Sequence, residues 1–489
     1  MTIRNRMHAV APAVALWLAL TSTSALLAQQ PITLQEAIAM AQAGGHRARA
    51  AVAARDAARY RDRAFASRLL PQLSVAGTMP RYNRSIIEVV QDDGSTRFLP
   101  QQETDARLTM MLSQRLPLTG GDLFVSSSLA RLTVSGQQAG ETWSSAPISV
   151  GLRQEVLRPN ATAWDRREQA VRAERDDRSY FEDLEDIALE TSDVFFDVYA
   201  ARVALDNALT NAAVNDTLYR LNTGRFEVGR IGENDLLQSE LALLRARTAV
   251  EGARLEHERA TAALRLALNL PPGTPVEIAV TASVPAFEAD TERAVAEALA
   301  NRAIVSELDL QDVQAQRRVT EARLGGWIGA TVEASLGFNA TAPEASLAYQ
   351  DLLEARRFSL AVYVPLVQWG ARKENVLAAA AERDRVATIG RLTREQTTHD
   401  AHFAVLQLAQ ARRNVALFAK ADTVAGKRFE VAYNRYLIGR ITIDNLYIAQ
   451  TEKDQALAQF VLALRRYWQA HYNLRRLTLF DFATGQPVR

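Results

Sequence analysis

Two histidines, His399 and His402, stand three residues apart in a stretch with helical composition. That spacing would place both imidazoles on one helix face, where they could bind a metal ion. An ordinary solvated helix face gives the same pattern far more often, and it is the arrangement we expect. The neighbouring pair His257 and Glu258 does not have the spacing of a zinc-protease motif. We therefore predict neither a metal site nor a cofactor.

Other catalytic chemistry is equally unsupported by the sequence. The chain has no cysteine, which excludes disulfides, a thiol nucleophile and cysteine ligands to a metal. We find no phosphate-binding loop, no nucleophile elbow and no catalytic constellation, so we predict that the protein is not an enzyme. Its 57 basic and 56 acidic residues give a net charge of +1, which argues against a nucleic-acid partner.

Residues 1–28 predict a secretory signal peptide. Arg4 and Arg6 precede a short apolar run and then small residues, which lead to cleavage after Ala25 or Ala28. A membrane anchor is the alternative, but the apolar run is short for a spanning helix. No later stretch has some twenty uninterrupted apolar residues. The secreted chain is therefore either soluble outside the inner membrane or inserted in an outer membrane as strands.

A long helix is predicted from about Ala161 to Leu221, because apolar residues recur there at alternating steps of four and three. These are Tyr180, Leu184, Ile187, Thr191, Val194, Val198, Ala201, Leu205, Ala208 and Ala212. Such a heptad seam predicts supercoiling against neighbouring helices. Roughly 60 residues at 1.5 Å each would span about 90 Å, too long to pack inside one compact globule.

The remaining helices follow from the same kind of periodicity. A second long helix is predicted for 372–435, and shorter ones for 33–67, 234–268, 291–324 and 442–478. Glycines and a proline pair separate them: Gly224, Gly229 and Gly232 interrupt the first long helix, and Pro271-Pro272 ends the next one.

Strands are predicted where the period changes to two. Val332, Ala334, Leu336 and Phe338 alternate with polar or small residues, as do Phe358, Leu360, Val362, Val364 and Leu366. Segments of about ten alternating residues suit a membrane barrel, although a half-buried soluble sheet has the same pattern. Four to six strands cannot close a wide barrel alone, and closure is required in lipid, so several chains would have to share one.

The chain repeats itself at an offset of 210 positions. Arg225-Phe226-Glu227-Val228-Gly229-Arg230-Ile231 recurs as Arg435-Tyr436-Leu437-Ile438-Gly439-Arg440-Ile441, and the strand residues Ile148, Val150, Leu152, Gln154 and Val156 align with Phe358, Leu360, Val362, Val364 and Leu366. We predict two copies of one unit, residues 29–283 and 284–481, followed by a C-terminal tail, residues 482–489. A period this long is not that of a solenoid.

These features resemble the TolC family of outer-membrane efflux ducts. The resemblance covers nearly all of the chain beyond the signal segment, and it rests on the duplicated plan, the two glycine motifs and the opening Ile32-Thr33-Leu34-Gln35-Glu36-Ala37. It implies a mixed, mostly α fold. Long coiled-coil helical hairpins would form a periplasmic α-barrel, and a trimer would share an antiparallel transmembrane β-barrel with four strands from each copy.

The same resemblance implies the location, the partners and the task. A homotrimer would stand in the outer-membrane lipid of a Gram-negative envelope with a large periplasmic part. It would passively export substrates from an inner-membrane transporter that reach it through a periplasmic adaptor protein, in efflux or type I secretion. The alternative is a secreted periplasmic coiled-coil protein, structural or adhesin-like, with a small soluble sheet.

The resemblance also assigns roles to residues at the ends of the two helical hairpins, although a plain helix-turn-helix connector would use the same residues. The adaptor contacts would be Arg225, Phe226, Val228, Gly229, Arg435, Tyr436, Ile438 and Gly439. The pore gate would include Asp235, Arg440, Asp444 and Asn445, with Tyr436 as a further closing contact. The sequence departs from the family at Ile448, where a second carboxylate is expected, and Asp444 is the candidate replacement.

The first strand region is longer than the second by dozens of residues. Residues 80–140 could form an external loop, with Asp93-Gly94 as the turn of a surface hairpin. Alternatively, Arg107–Leu116 and Leu123–Leu132 could add a hairpin to the barrel, giving more than twelve strands in the trimer. We favour four strands with an elaboration.

Overall fold

A computed structural model describes residues 31–90, 94–136, 139–281 and 283–488. The signal segment predicted for residues 1–28 lies outside these ranges, as do Asp93 in the predicted hairpin turn and Arg489 at the end of the predicted tail. Within them, the chain is mostly helical and carries one large antiparallel sheet, which confirms the coarse fold class.

The described residues form eight α-helices whose lengths repeat in order. The first four are α1 (Leu34–Gly44), α2 (His46–Arg68), α3 (Ala161–Glu227) and α4 (Glu233–Ala267), with 11, 23, 67 and 35 residues. The second four are α5 (Thr291–Asn301), α6 (Ala303–Gly325), α7 (Ala371–Leu437) and α8 (Ile443–Thr478), with 11, 23, 67 and 36 residues. This order agrees with two copies of one unit, although the boundaries given above stay a prediction.

None of the helices in the described part of the chain is both long enough and apolar enough to cross a membrane.

Two segments that the sequence predicts as single helices are each broken in two. The chain turns at Gly45 between α1 and α2, and at Arg302 between α5 and α6, where both residues have extended backbone. A Cβ at Gly45 would lie 2.5 Å from the carbonyl oxygen of Ala41, so the close packing of this turn requires glycine. The helical periodicity continues across both turns, which is why it does not reveal them.

Six long strands form one antiparallel sheet in chain order. They are β1 (Gln72–Val90), β2 (Thr96–Arg115), β3 (Asp122–Ser135), β4 (Gly140–Val156), β5 (Gly329–Ala342) and β6 (Leu353–Tyr363). The edge strands β1 and β6 each pair with one neighbour. Near the C-terminus, β7 (Phe480–Asp481) and β8 (Gln486–Pro487) form a short separate hairpin.

The prediction of four strands with an external elaboration is wrong for this sheet. Residues 107–115 and 123–132 lie in β2 and β3, which pair over the 14 residues of β3 without a register shift. Residues 81–90 and 96–105 pair as the outer part of the β1–β2 hairpin. Polar residues occupy both faces of these outer parts, so the alternation that identifies strands is weak there.

Cross-strand partners point to the same side of a sheet, and one side of this sheet carries mostly apolar side chains, with Ser127 and Arg356 among them. The apolar side chains, which we call the apolar belt, are Leu73, Val75, Leu108, Met110, Leu112, Leu123, Val125, Ile148, Val150, Leu152, Val332, Ala334, Leu336, Phe358, Leu360 and Val362. Most are exposed, for example Val75 at 62% and Leu360 at 55%.

A row of charges crosses the opposite face. Arg115, Asp122, Arg153 and Glu333 are successive cross-strand partners on β2, β3, β4 and β5, and we call them the charged row. Arg115 lies 3.6 Å from Asp122, and Arg153 lies 2.8 Å from Glu333. Alternating signs make each neighbour in the row attractive, which favours this register of the four strands.

The main hydrophobic core lies where α1, α3, α5, α7 and α8 meet, near the middle of the long helices. Phe195, Phe196, Leu464 and Tyr467 are fully buried there. Beside it, Glu185 is 1% exposed, and its Oε1 accepts a hydrogen bond from Arg475 at 2.9 Å. Burial raises the pKa of Glu185, while the Arg475 guanidinium opposes that rise.

Candidate functional site

The two long helical hairpins end in turns of the same geometry. In the first, the N–H of Gly229 donates to the carbonyl of Phe226 and the N–H of Arg230 donates to that of Arg225, both at 2.8 Å. The second turn repeats both bonds 210 positions later, at 2.9 Å each. This pair of bonds is the Schellman motif, which needs a left-handed residue after the helix. Gly229 and Gly439 supply it with φ of 69° and 73°.

Replacing Gly439 with alanine should destabilise the protein by about 1–2 kcal/mol, because an L-residue is strained at positive φ. No atom of the described residues lies within 4 Å of the added Cβ, so the cost is conformational and not steric. Gly224→Ala is the matched control: it is exposed inside α3 and also has open space, so it should be neutral or stabilising by up to about 1 kcal/mol. Urea unfolding followed by circular dichroism measures both, and equal effects would contradict the prediction.

The two turns lie side by side, and we call residues 215–239 and 433–448 the helix tips. Arg225 Nη2 donates to the carbonyl of Leu437 at 2.8 Å, which joins the first turn to the second. Leu218, Tyr436, Ile443 and Leu446 form a small buried cluster here, separate from the main core. The tips therefore have a packing cluster of their own, distinct from the core at the middle of the helices.

Tyr436 is the centre of the contact between the hairpins. Its ring is 5% exposed, and its hydroxyl donates a 2.7 Å hydrogen bond to Oδ1 of Asn222 on α3. The Arg225 guanidinium lies over the same ring, 5.3 Å from the centroid. One side chain of the second hairpin is thus held by a hydrogen bond, a cation–π contact and burial against the first hairpin.

The predicted gate residues lie near this contact but do not form one cluster. Asp444, in the first turn of α8, accepts a 2.6 Å hydrogen bond from Gln238 on α4. Asn445 donates to Thr442 at 3.0 Å within its own turn. Asp235 is half-buried in the first turn of α4, and Arg440 is exposed in the turn after α7. Their role in a gate stays a prediction.

Apolar side chains are exposed at both turns. Phe226, Val228 and Ile438 are 41%, 69% and 66% exposed, and the predicted contact residue Arg435 is also exposed. Clustered exposed apolar groups at the end of a hairpin are typical of a docking surface for another protein. Their contact with an adaptor stays a prediction as well.

Two residues of this site, Asn222 and Gln238, are absent from the sequence-based set. A signal for Asn222 exists, since the heptad seam of α3 continues from Ala212 through Asn215 and Tyr219 to Asn222. A polar residue at a seam position often specifies pairing between helices. Gln238 carries no comparable signal, because its partner is 206 residues away in the chain.

His399 and His402 are exposed on α7, and each lies against the ring of Phe403. Among the described residues, no group of three or more His, Cys, Asp or Glu side chains is arranged to hold a metal ion. The position of both rings agrees with the solvated helix face expected from the sequence.

Comparison with solved structures identifies the fold. The chain is similar to the CmeC outer membrane channel of Campylobacter jejuni, with a TM-score of 0.66 and 15% identity over 93% of this chain and 86% of that one. It is also similar to the outer membrane protein VceC of Vibrio cholerae, with 0.65 and 13% over 93% and 97%. The Neisseria gonorrhoeae MtrE outer membrane channel, in its open state, gives 0.62 and 14% over 91% and 88%. No protein-family model and no curated protein matches the sequence.

Proposed function

We propose that this chain, which has the fold of outer-membrane channel proteins, is a TolC-family duct of the Gram-negative outer membrane. Three copies would form one channel with a large periplasmic part. It would passively export substrates delivered by an inner-membrane transporter through a periplasmic adaptor. No chemistry is required of the duct, since the transporter supplies the energy.

The apolar belt is the observation that carries this proposal. Sixteen exposed or half-buried apolar side chains lie on one face of the sheet, while the charged row lies on the other. A soluble sheet would cover such a face with a second layer, whereas an outer-membrane barrel exposes it to lipid. The long helices leave the sheet at the end where β1 begins and β4 ends, away from the turn between β1 and β2. Helix α3 alone, with 67 residues, reaches about 100 Å.

The helix tips supply the remaining parts of the proposal. Phe226, Val228 and Ile438 offer an exposed apolar surface for the adaptor. Tyr436, Asn222 and Arg225 would hold the closed state by joining the two hairpins. Asp444 and Asp235 would supply the negative charge of the gate, which attracts cations. Opening would then be a shift between two packed arrangements of the hairpins.

Fractionation tests the proposed location and assembly. The full chain, produced in a Gram-negative host, should be recovered from the outer membrane as a trimer that dissociates only on heating. In planar bilayers the purified protein should give single-channel currents. A soluble monomer in the periplasmic fraction would contradict the proposal and favour the coiled-coil alternative.

A belt variant tests the orientation of the sheet. Val150→Arg places a charge in the middle of the apolar belt and should cost about 2–4 kcal/mol, because arginine is expensive at the middle of a bilayer. Ser149→Arg is the matched control, since its side chain lies on the polar face of the same strand. We expect the outer-membrane trimer to be lost in the first variant and retained in the second. Equal tolerance of both would contradict a lipid-facing belt.

A further inference from the structure

We propose that all six long strands enter the membrane barrel, which closes between β1 of one copy and β6 of the next. Three copies would then form an eighteen-stranded barrel instead of the twelve-stranded barrel that the family resemblance implies. The inference rests on the proposed function and adds to it the number of strands and the contact that joins the copies.

The apolar belt has members on all six strands, and the polar side chains that share its face include Ser127 opposite Met110 and Arg356 opposite Leu336. Val75 on β1 faces Met110 on β2. Leu112 faces Val125 on β3, which faces Val150 on β4. An external hairpin surrounded by water would have no reason to carry this stripe on β1 and β2 at the level of the stripe on the other strands.

On the polar face, the charged row spans four of the six strands. The charged row begins on β2 with Arg115 and passes through β3 and β4 to Glu333 on β5. A barrel with four strands per copy would have to exclude a hairpin that carries part of the apolar belt and, through Arg115, one end of the charged row. Excluding β1 and β2 would break the ladder of 14 residues between β2 and β3, which has no register shift.

The two edges of the sheet can pair with each other between copies. Five antiparallel steps separate β1 from β6, so the two strands run in opposite directions. In a ring of copies they would meet as one more antiparallel pair. An unpaired strand edge costs several kcal/mol for each polar backbone group in lipid, so closure is required.

The irregular part of β1 lies outside the residues that would pair with β6. Its register shift lies between Thr78 and Arg81, where Pro80 lacks an N–H to donate. The part that carries the belt, residues 72–78, contains no proline, and β6 contains none either. Neither stretch has the proline that protects a solvent-exposed edge from pairing. The charges of β6, Glu354, Arg356 and Arg357, precede Phe358 and so lie outside residues 358–362, which carry the belt.

A wider passage follows from the larger number of strands. At a strand spacing of 4.8 Å and a tilt of about 40°, eighteen strands give a backbone radius of about 18 Å, against roughly 12 Å for twelve. Barrels of sixteen to eighteen strands leave an open aqueous channel, so the membrane part of this duct would be an open passage wider than that of a twelve-stranded barrel.

Cysteine cross-linking distinguishes the two barrels, because the chain has no cysteine of its own. The first pair is Val75→Cys with Leu360→Cys, which joins β1 to β6 of the next copy in an eighteen-stranded barrel. The second pair is Val125→Cys with Leu360→Cys, which joins β3 to β6 only if β1 and β2 lie outside. A bismaleimide with a reach of about 10 Å spans two strand spacings, too short to link either pair within one copy.

The detergent-purified trimer of each variant is treated with the reagent and then denatured. We expect the first pair to lose its monomer band to linked dimers and trimers, and the second pair to retain it. Linkage of the second pair alone would overturn the proposal and leave twelve strands, and so would the absence of linkage in both. Leu73→Cys with Val362→Cys replaces the first pair if that variant does not assemble.

Failure of the proposed function is recognised separately and earlier. The cysteine-free chain and each single-cysteine variant are first tested for the heat-dissociable trimer in the outer membrane. If the cysteine-free chain is a soluble monomer, the channel assignment fails, and this barrel fails with it. If the trimer forms and only the linkage differs, the channel assignment stands and the strand count alone is decided.

Discussion

Replacing Arg475 with methionine should lower the free energy of unfolding by about 3–5 kcal/mol, the usual cost of leaving a buried charge without its partner. Glu185 is 1% exposed, and Arg475 lies 2.9 Å from its Oε1. Among the described residues, its Oε2 has no hydrogen-bond partner. The carboxylate would therefore keep its burial and lose its principal compensation. Urea unfolding followed by tryptophan fluorescence measures the loss.

Two controls separate this effect from the loss of side-chain packing. Glu185→Met combined with Arg475→Met removes both charges and should restore most of the stability, because apolar pairs often replace buried ion pairs without cost. Arg476→Met breaks the adjacent ion pair between Arg476 and Asp186, whose side chains are 35% and 38% exposed. It should lower the free energy of unfolding by no more than about 1 kcal/mol. A double variant as unstable as Arg475→Met would contradict the explanation.

The stability loss of Arg475→Met should depend on pH, and the sign of that dependence follows from the pKa of Glu185. A carboxyl whose folded-state pKa lies above its unfolded value contributes stability at low pH that is lost as the pH rises through the folded pKa. Burial raises the pKa of Glu185, and removing Arg475 removes the cation that opposes this rise. The stability deficit of Arg475→Met relative to the unchanged protein should therefore be larger at pH 8 than at pH 5. A deficit independent of pH would point to packing alone.

The second large effect is expected at the helix tips. Tyr436→Ala removes a ring that is 5% exposed, its hydrogen bond to Asn222 and its contact with Arg225. The loss should be about 3–5 kcal/mol in local stability. Because the main core is separate, we expect this loss to appear as opening of the tips rather than unfolding. In the proposed channel the variant should admit bulky antibiotics, measured as increased sensitivity of the host cell.

Graded controls identify which part of the contact matters. Tyr436→Phe keeps the ring and leaves the Asn222 oxygen unpaired, so about 1–3 kcal/mol should be lost. Val431→Ala changes an exposed side chain on the same helix, 57% exposed, and should have an effect within about 0.5 kcal/mol. Sensitivity that rises equally in all three variants would show that the tips are not the closed point of the passage.

The long helices and the inner strands could be predicted because their signals are local. The seam that includes Ile187, Thr191 and Val198 follows the geometry of one helix, and the alternation around Leu336 follows the geometry of one strand. The breaks at Gly45 and Arg302 could not be predicted, since the helical pattern continues through them. The outer parts of β1 and β2 were expected only as an external hairpin, because polar residues on both faces hide the alternation that would join them to the inner strands.

The candidate site was predicted only in part, for a related reason. The repeat at offset 210 locates Gly229 and Gly439, and the structure gives both turns the same hydrogen bonds. What joins the turns is a set of contacts between residues far apart in the chain, such as the bond from Tyr436 to Asn222, 214 positions away. Periodicity in a single sequence carries no information about such pairs.

The equal lengths of α3 and α7, 67 residues each, place a joint constraint on how this molecule can change. Deleting seven residues from α3 alone would withdraw its end by about 10 Å, far beyond the reach of the bond between Arg225 and Leu437. The same deletion in both helices, matched by seven residues in the returning helices α4 and α8, would shorten the protein and keep the two ends level. We therefore expect an insertion or deletion in the helices of one half to be tolerated only when the other half carries a matching change. The length of the helical part would then change in both halves together.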